Sequence, residues 1–202
     1  MIRLNGVDKQ STLNTPSSTP MGTYHFADNP NLYEVQRTNN FEFIVTGLDS
    51  LLKAGTSNVI ANAQEILRCS VTQASVPHFS QQPIEIKRGN SSIKAAGVPT
   101  FEGGQIIVND FIGADTKSIL MSWQALSYNV HTQKVGLMSD YKKDAYLVEY
   151  TPDLQKVRQW KLHGCWVSGL SETEYNMEDN SKKTITATIQ YDRAELDVTE
   201  TL

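Results

Sequence analysis

Apolar and polar residues alternate most strictly in two stretches near the C-terminus. In 159–166, Trp160, Leu162, Gly164 and Trp166 share one face, and Gln159, Lys161, His163 and Cys165 share the other. In 184–192, Ile185, Ala187, Ile189 and Tyr191 face one way, and Thr184, Thr186, Thr188, Gln190 and Asp192 the other. Period two marks half-buried strands. One apolar and one polar face suit a sheet that packs on one side and meets water on the other. Upstream, Phe41, Phe43 and Val45 alternate with Glu42, Ile44 and Thr46, which predicts a first strand over 40–47. The pattern breaks over 48–64. Leu51, Leu52 and Ala54 read as a short helical turn and 55–58 as loop, so 48–63 reads as an insertion. Strand pattern returns over 65–73 and stops at Val76-Pro77. Residues 83–95 read as a hairpin turning at Gly89-Asn90, with Ile84, Ile86 and Ile93 as its apolar positions. Residues 103–111 read as a further strand.

The period then changes. Ile119, Leu120, Trp123 and Leu126 form one apolar stripe, and Asp115 stands where a short carboxylate caps a first helical turn. A helix is predicted over 116–128, a loop over 129–140, a strand over 141–151 and a turn at Pro152-Asp153. Many strands, one helix and no βαβ alternation give a mainly β fold, an antiparallel barrel or sandwich with one packed helix. Its expected core includes Phe43, Trp123, Leu126, Trp160, Leu162, Trp166, Ile185 and Ile189. Residues 1–31, rich in Ser, Thr, Asn and Pro, have no period and read as an extended N-terminal arm. The folded domain is expected over 32–202.

Composition narrows the class. A chain of 202 residues fits one domain, and 39% hydrophobic with 20% charged residues is ordinary for a globular protein. No apolar run approaches membrane-spanning length, and Met1–Gly6 opens no signal-peptide core. No membrane association and assembly in a cytoplasm are the expectations. The net charge of −4 argues against a general DNA-binding surface. The basic pairs Lys87-Arg88, Lys142-Lys143 and Lys182-Lys183 read as solvated turns. Cys69 and Cys165 read as reduced thiols, having no metal-ligand spacing.

Catalytic chemistry is not written in the chain. His25, His78, His131 and His163 are scattered, and no nucleophile elbow, phosphate-binding loop or zinc-protease helix occurs. Glu172, Glu174, Glu178 and Asp179 lack the spacing of a helix-flanked calcium loop and read as a solvated acidic turn. No enzyme, cofactor or metal is expected. Tyr128, Tyr141 and Tyr146 leave a carbohydrate-binding sandwich as an alternative.

Several segments, in order, resemble the tail tube proteins of contractile-tailed bacteriophages. They are the strand, kink and hairpin of 65–95, and then 100–110 leading into the Trp123 helix. After these come Asp140-Tyr-Lys-Lys-Asp-Ala145, the Lys161–Trp166 strand end, and the closing strand Ile185–Tyr191. The resemblance covers about 32–196, a tube family shared with phage-like contractile injection systems. It implies a structural subunit of the inner tail tube, in stacked hexameric rings whose channel conducts DNA during ejection. The implied partners are further copies, the tail sheath, baseplate and tape measure proteins, and DNA passing without specific binding. The implied place is the virion tail. Alternatives within the fold are the tube of a phage-derived or type VI-like secretion particle, or an initiator or terminator ring. The long arm and the insertion favour a specialised ring or surface decoration. A Thr-rich strand face cannot enter a core without leaving hydroxyls unsatisfied, but it can line a wet channel. The expected channel lining is Glu85, Ser92, Thr186, Thr188 and Gln190.

Overall fold

The computed structural model describes residues 34–49, 51 and 59–198. The 1–31 arm and half of the 48–63 insertion, residues 50 and 52–58, lie outside the described residues. The chain divides into two units, Met1–Gln36 and Arg37–Leu202, and the second carries all the elements below.

In chain order these are β1 (Phe41–Val45), α1 (Ala63–Ser70), β2 (Val71–Ala74), β3 (His78–Gln81), β4 (Ile84–Arg88), β5 (Ser91–Ala95), β6 (Pro99–Glu102) and β7 (Gly104–Asn109). Next come α2 (Thr116–Ser127), β8 (Tyr128–Asn129), β9 (Lys134–Val135), α3 (Met138–Tyr141), β10 (Lys143–Tyr150), β11 (Lys156–Glu172), β12 (Thr184–Gln190) and β13 (Arg193–Val198). The main sheet is antiparallel in the order β1-β10-β11-β12-β7-β2, with β13 also on β11. The fold is mainly β, as the patterning predicts.

β11 is the spine. Over its 17 residues it serves two half-sheets. Its first half lies between β10 and β13, and its second half pairs with β12. β12 and β13 follow β11 in one continuing register, Trp166 opposite Gln190 and His163 opposite Arg193. Gly164 is the corner. Its φ of 65° is left-handed, a region closed to most side chains. A Cβ there would run into the Asp192 carboxylate, which is itself held by Lys142 Nζ at 2.7 Å.

The corner resets the alternation. Leu162 is buried, Gly164 takes the extra step, and Cys165 and Val167 are the next buried residues. Sequence alternation put Cys165 with the polar face and Trp166 in the core. The structure reverses the pair. Cys165 is fully buried, with its thiol pKa pushed up by burial. Trp166 turns to the opposite face, its ring edge-on to Tyr141 at 5.6 Å. A strict period-two reading fails wherever a left-handed residue inserts one position.

Phe43, Leu162, Ile185, Ile189 and Trp123 sit in the core, and Trp160 and Leu126 pack against its margin. α2 supplies Ile119, Leu120 and Trp123, all essentially inaccessible. Trp123 satisfies its indole by donating from Nε1 to the Tyr141 carbonyl at 2.9 Å. Asp115 stands at the N-cap of α2 with a left-handed backbone (φ 50°) and no side-chain capping bond. Its carbonyl instead accepts from the Ser118 amide at 3.0 Å.

Two expectations need correcting. Residues 65–70 are helix, not strand. Ala63, Leu67 and Ser70 are buried at four- and three-residue spacing, one helical stripe, and strand begins only at Val71. α1 is fastened by Arg68, which donates to Glu42 from Nε at 3.2 Å and from Nη2 at 2.8 Å, while the Tyr150 hydroxyl donates to the same carboxylate at 3.0 Å. At its end, Ser70 Oγ lies 3.1 Å from Thr116 Oγ1, tying α1 to the start of α2. The expected loop at 129–140 holds a small hairpin, β8–β9, and the short α3.

The predicted hairpin is part of a longer arm. β4 and β5 pair around Gly89-Asn90, and β3 and β6 pair below them. All four strands are solvent-exposed apart from the half-buried Phe101. Phe101 roots the arm, its ring 5.6 Å from Phe79 and 6.4 Å from Tyr191. Between the two pairings Gly97 lies so close to the Gln82 carbonyl that a Cβ would collide with it.

Candidate functional site: an uncharged polar sheet face

β12 alternates buried Ile185, Ala187 and Ile189 with half-buried Thr184, Thr186, Thr188 and Gln190. Register extends that outer face sideways. Thr186 stands between Ser171 of β11 and Ile107 of β7, with Gln73 of β2 beyond Ile107. Thr188 stands between Gly169 and Gln105, and Thr184 lies beside Asn109. Cross-strand neighbours share a face. The centre of this face therefore carries hydroxyls, amides and one isoleucine, and no charge. Ser168 Oγ donates to the Thr188 carbonyl at 3.2 Å and Thr72 Oγ1 to the Ile107 carbonyl at 3.1 Å, both reinforcing strand pairing.

Charge gathers at one end of these strands but on their core side, since Glu172 stands opposite buried Ile185 and not on the threonine face. Glu172, at the end of β11, takes Lys117 Nζ at 2.6 Å and Lys183 Nζ at 2.8 Å. Lys183 also lies 3.9 Å from Asp110, donates to the Tyr175 hydroxyl at 2.5 Å and sits 4.1 Å over the Tyr175 ring. The hydrogen bonds from Lys117 and Lys183 hold the Glu172 carboxyl below the usual range, and the bond to Glu172 raises Lys183. This cluster ties the start of α2, the end of β7 and the 173–183 loop together.

The structure thus brings Thr186, Thr188 and Gln190 onto one face. Glu85 and Ser92 lie elsewhere, on the arm hairpin, where Glu85 pairs with Lys94 and Ser92 with Lys87. Sequence reading missed the Lys117–Glu172–Lys183 cluster. Its members are up to 66 positions apart, and only the register of β7, β11 and β12 makes them neighbours.

The remaining chemical candidates are also placed. His163 lies 3.8 Å from Asp144 and 3.5 Å from Glu195, between β10 and β13. Glu174, Glu178 and Asp179 are exposed on the 173–183 loop. Tyr128, Tyr141 and Tyr146 stand on three elements, Tyr141 against Trp166 and Tyr146 beneath Lys161. Among the described residues no group of three His, Cys, Asp or Glu side chains is placed to hold a metal ion. No helix among them is long and apolar enough to cross a membrane.

No protein-family model and no curated protein matches the chain. Solved structures do. The tube-terminating cap of the anti-feeding prophage superposes with a TM-score of 0.58 at 13% identity, over 82% of this chain and 92% of that one. The sheath/tube terminator of the extracellular contractile injection system PVC gives 0.57 at 16%, over 82% and 98%. A chain of the PVC sheath-tube complex gives 0.56 at 15%, over 89% and 100%. The chain therefore has the tail-tube fold. The structures it is similar to are tube and tube-terminator components of contractile injection particles.

Proposed function

We propose that this chain is a structural subunit of an inner tail tube, forming hexameric rings that stack around a channel through which DNA passes during ejection by a contractile tail. The observation that carries the reading is the uncharged polar face on β12 and its neighbours. Half-buried Thr186, Thr188 and Gln190 on a broad sheet suit a surface that stays wet and offers a polyanion neither attraction nor a trap. Open sheet edges on the same framework support ring closure, because β1 and β2 end the main sheet. An open strand edge is a template for pairing with another chain, and a closed ring removes it. One similar structure, at a TM-score of 0.53, comes from an anti-feeding prophage baseplate that was 6-fold symmetrised. The role is structural, not catalytic. Its partners are further copies, the sheath, the baseplate and the tape measure protein, in a tail without membrane contact.

A second reading has support of its own. Two of the similar structures are a tube-terminating cap and a sheath/tube terminator, so a ring that ends a tube is the alternative. Negative-stain electron microscopy with analytical ultracentrifugation of the purified chain separates the readings. Hollow tubes are expected for a tube subunit. Single rings that do not elongate establish the terminator. A monomer at every concentration overturns both.

A further inference from the structure

The arm joins the main sheet through residues 75–77 on the way out and Gly103 on the way back. This joint is stapled on both sides. On the sheet side, Ser75 Oγ accepts from the Gln105 amide at 3.0 Å and donates to the Gln105 carbonyl at 3.1 Å. On the arm side, Glu102 accepts from Ser80 Oγ at 3.1 Å and lies 3.4 Å from His78 Nε2. Between the staples, Pro77 has no amide hydrogen to give and Gly103 has no side chain. The return path also turns over there. Phe101 and Gly103 are two residues apart, a spacing that keeps one face in a regular strand. Yet Phe101 packs on the core side against Tyr191, while Gly103 lies beside Gln190 of the polar face.

Two successive residues grip this joint from opposite sides. Gln190, the last of β12, belongs to the polar face, and its side-chain amide lies over Gly103. A Cβ on Gly103 would stand 2.6 Å from both Oε1 and Nε2 of that amide. Tyr191, the next residue, is buried on the core side. Its ring meets Phe101 at 6.4 Å, and Phe101 meets Phe79 at 5.6 Å. Phe79 and Phe101 stand opposite each other in the β3–β6 ladder, so Tyr191 holds both strands of the arm. Asp192 follows, fixed to Lys142 at the Gly164 corner, so the grip has a firm base. Gln190 and Tyr191 differ in access. Tyr191 is sealed in the core, whereas half-buried Gln190 stands on the wet side with Thr188.

We infer that Gln190 is a latch on the arm: its amide fills the space over Gly103 and holds the joint, and a body bearing on the polar face at Gln190 lifts the amide and loosens the arm. Gly103 is needed because any side chain there would take the place of the amide. Packing contacts of this kind suit a latch, since a gap of about 0.5–1 Å already forfeits a quarter to a half of their attraction. A bare face and an occupied one then differ in how the joint is populated, held or loosened. The occupant is the polymer that the tube reading places in the channel, so the inference rests on that reading for what presses on Gln190. The latch itself lies within one chain.

Hydrogen exchange on the purified chain tests both halves of the inference. Gln190→Ala is expected to speed amide exchange in β3 and β6 roughly fivefold, with β7 and β12 as in wild type. Thr188→Ala, on the same face, is expected to leave the arm unchanged. For the second half, Thr188→Cys in a Cys69→Ser background is labelled with a bulky fluorescein maleimide, and buried Cys165 does not compete. The adduct crowds Gln190, two residues and about 7 Å along the strand. It is expected to speed arm exchange by a similar factor, and to add nothing when Gln190→Ala is already present. Urea midpoints check that every variant keeps the fold. Arm exchange equal to wild type in Gln190→Ala, or raised as much by Thr188→Ala, overturns the latch. Faster exchange in Gln190→Ala with no response to the adduct reduces Gln190 to a packing residue and overturns the inference as well. Neither measurement needs an assembled tube, so such failures leave the tube reading standing. A chain that passes both and forms no ring or tube overturns that reading alone.

Discussion

A methyl group on Gly164 has nowhere to go. The backbone there is left-handed, which costs an L-residue about 1–2 kcal/mol. The new Cβ would also displace the Asp192 carboxylate from Lys142, whose ion pair is 22% exposed on the lysine side and 60% on the aspartate side. So exposed a pair adds less than about 1 kcal/mol. Gly164→Ala is expected to destabilise the fold by about 2 kcal/mol, seen as a lower urea midpoint at unchanged slope. A midpoint equal to wild type would mean that β11 bends without needing the left-handed corner. The same residue explains where sequence reading went astray. Leu162, Ile185 and Ile189 were legible as core because alternation holds on each side of the corner. Trp166 and Cys165 were not, because nothing in the string Leu162-His-Gly-Cys-Trp166 shows that its glycine has positive φ.

Elements were legible where their period was long enough to be read. β12 and α2 each show several repeats, and their predicted spans are close to those observed. α1 has barely two turns, and its stripe of Ala63, Leu67 and Ser70 includes a serine and an alanine. Its polar face hides its helical character until Arg68 is seen to reach Glu42 across to β1. The 173–183 loop is the element most dependent on charge. Glu172 anchors it through Lys117 and Lys183, and those hydrogen bonds depress the Glu172 pKa. A carboxyl depressed on folding contributes stability that is complete above its unfolded value, about 4.3. The contribution drains away as pH falls from there through the depressed folded value. Glu172→Gln is therefore expected to be less stable than wild type at pH 7. The gap should close as urea titrations move down to about pH 3. A gap that stays constant with pH would show that the lysines contribute nothing through the ionised carboxylate.

At the scale of the whole molecule, the fold was legible as an ordered set of strands around one clear helix. The polar face of β12 was legible residue by residue. Its width was not, since Ser171, Gln105 and Gln73 join Thr186 and Thr188 only through the register of β11, β7 and β2. That width makes the channel assignment testable. Thr188 sits mid-strand between Gly169 and Gln105, where a long side chain can extend outward without disturbing buried Ala187 and Ile189. Thr188→Arg should leave the unfolding midpoint within about 0.5 kcal/mol of wild type, as a surface change does. In a ring, however, it places one guanidinium per subunit on a single circle. Phosphate binding of that kind is strongly salt-dependent. Assembled Thr188→Arg tubes are expected to retain labelled double-stranded DNA at low salt and release it as salt rises, while wild-type tubes retain none. The same substitution at exposed Thr173, on the loop beyond the face, serves as the comparison. Equal retention by the two variants would place Thr188 on the outer wall. Retention by Thr188→Arg alone puts the β12 face inside, where its lack of charge lets the cargo slide.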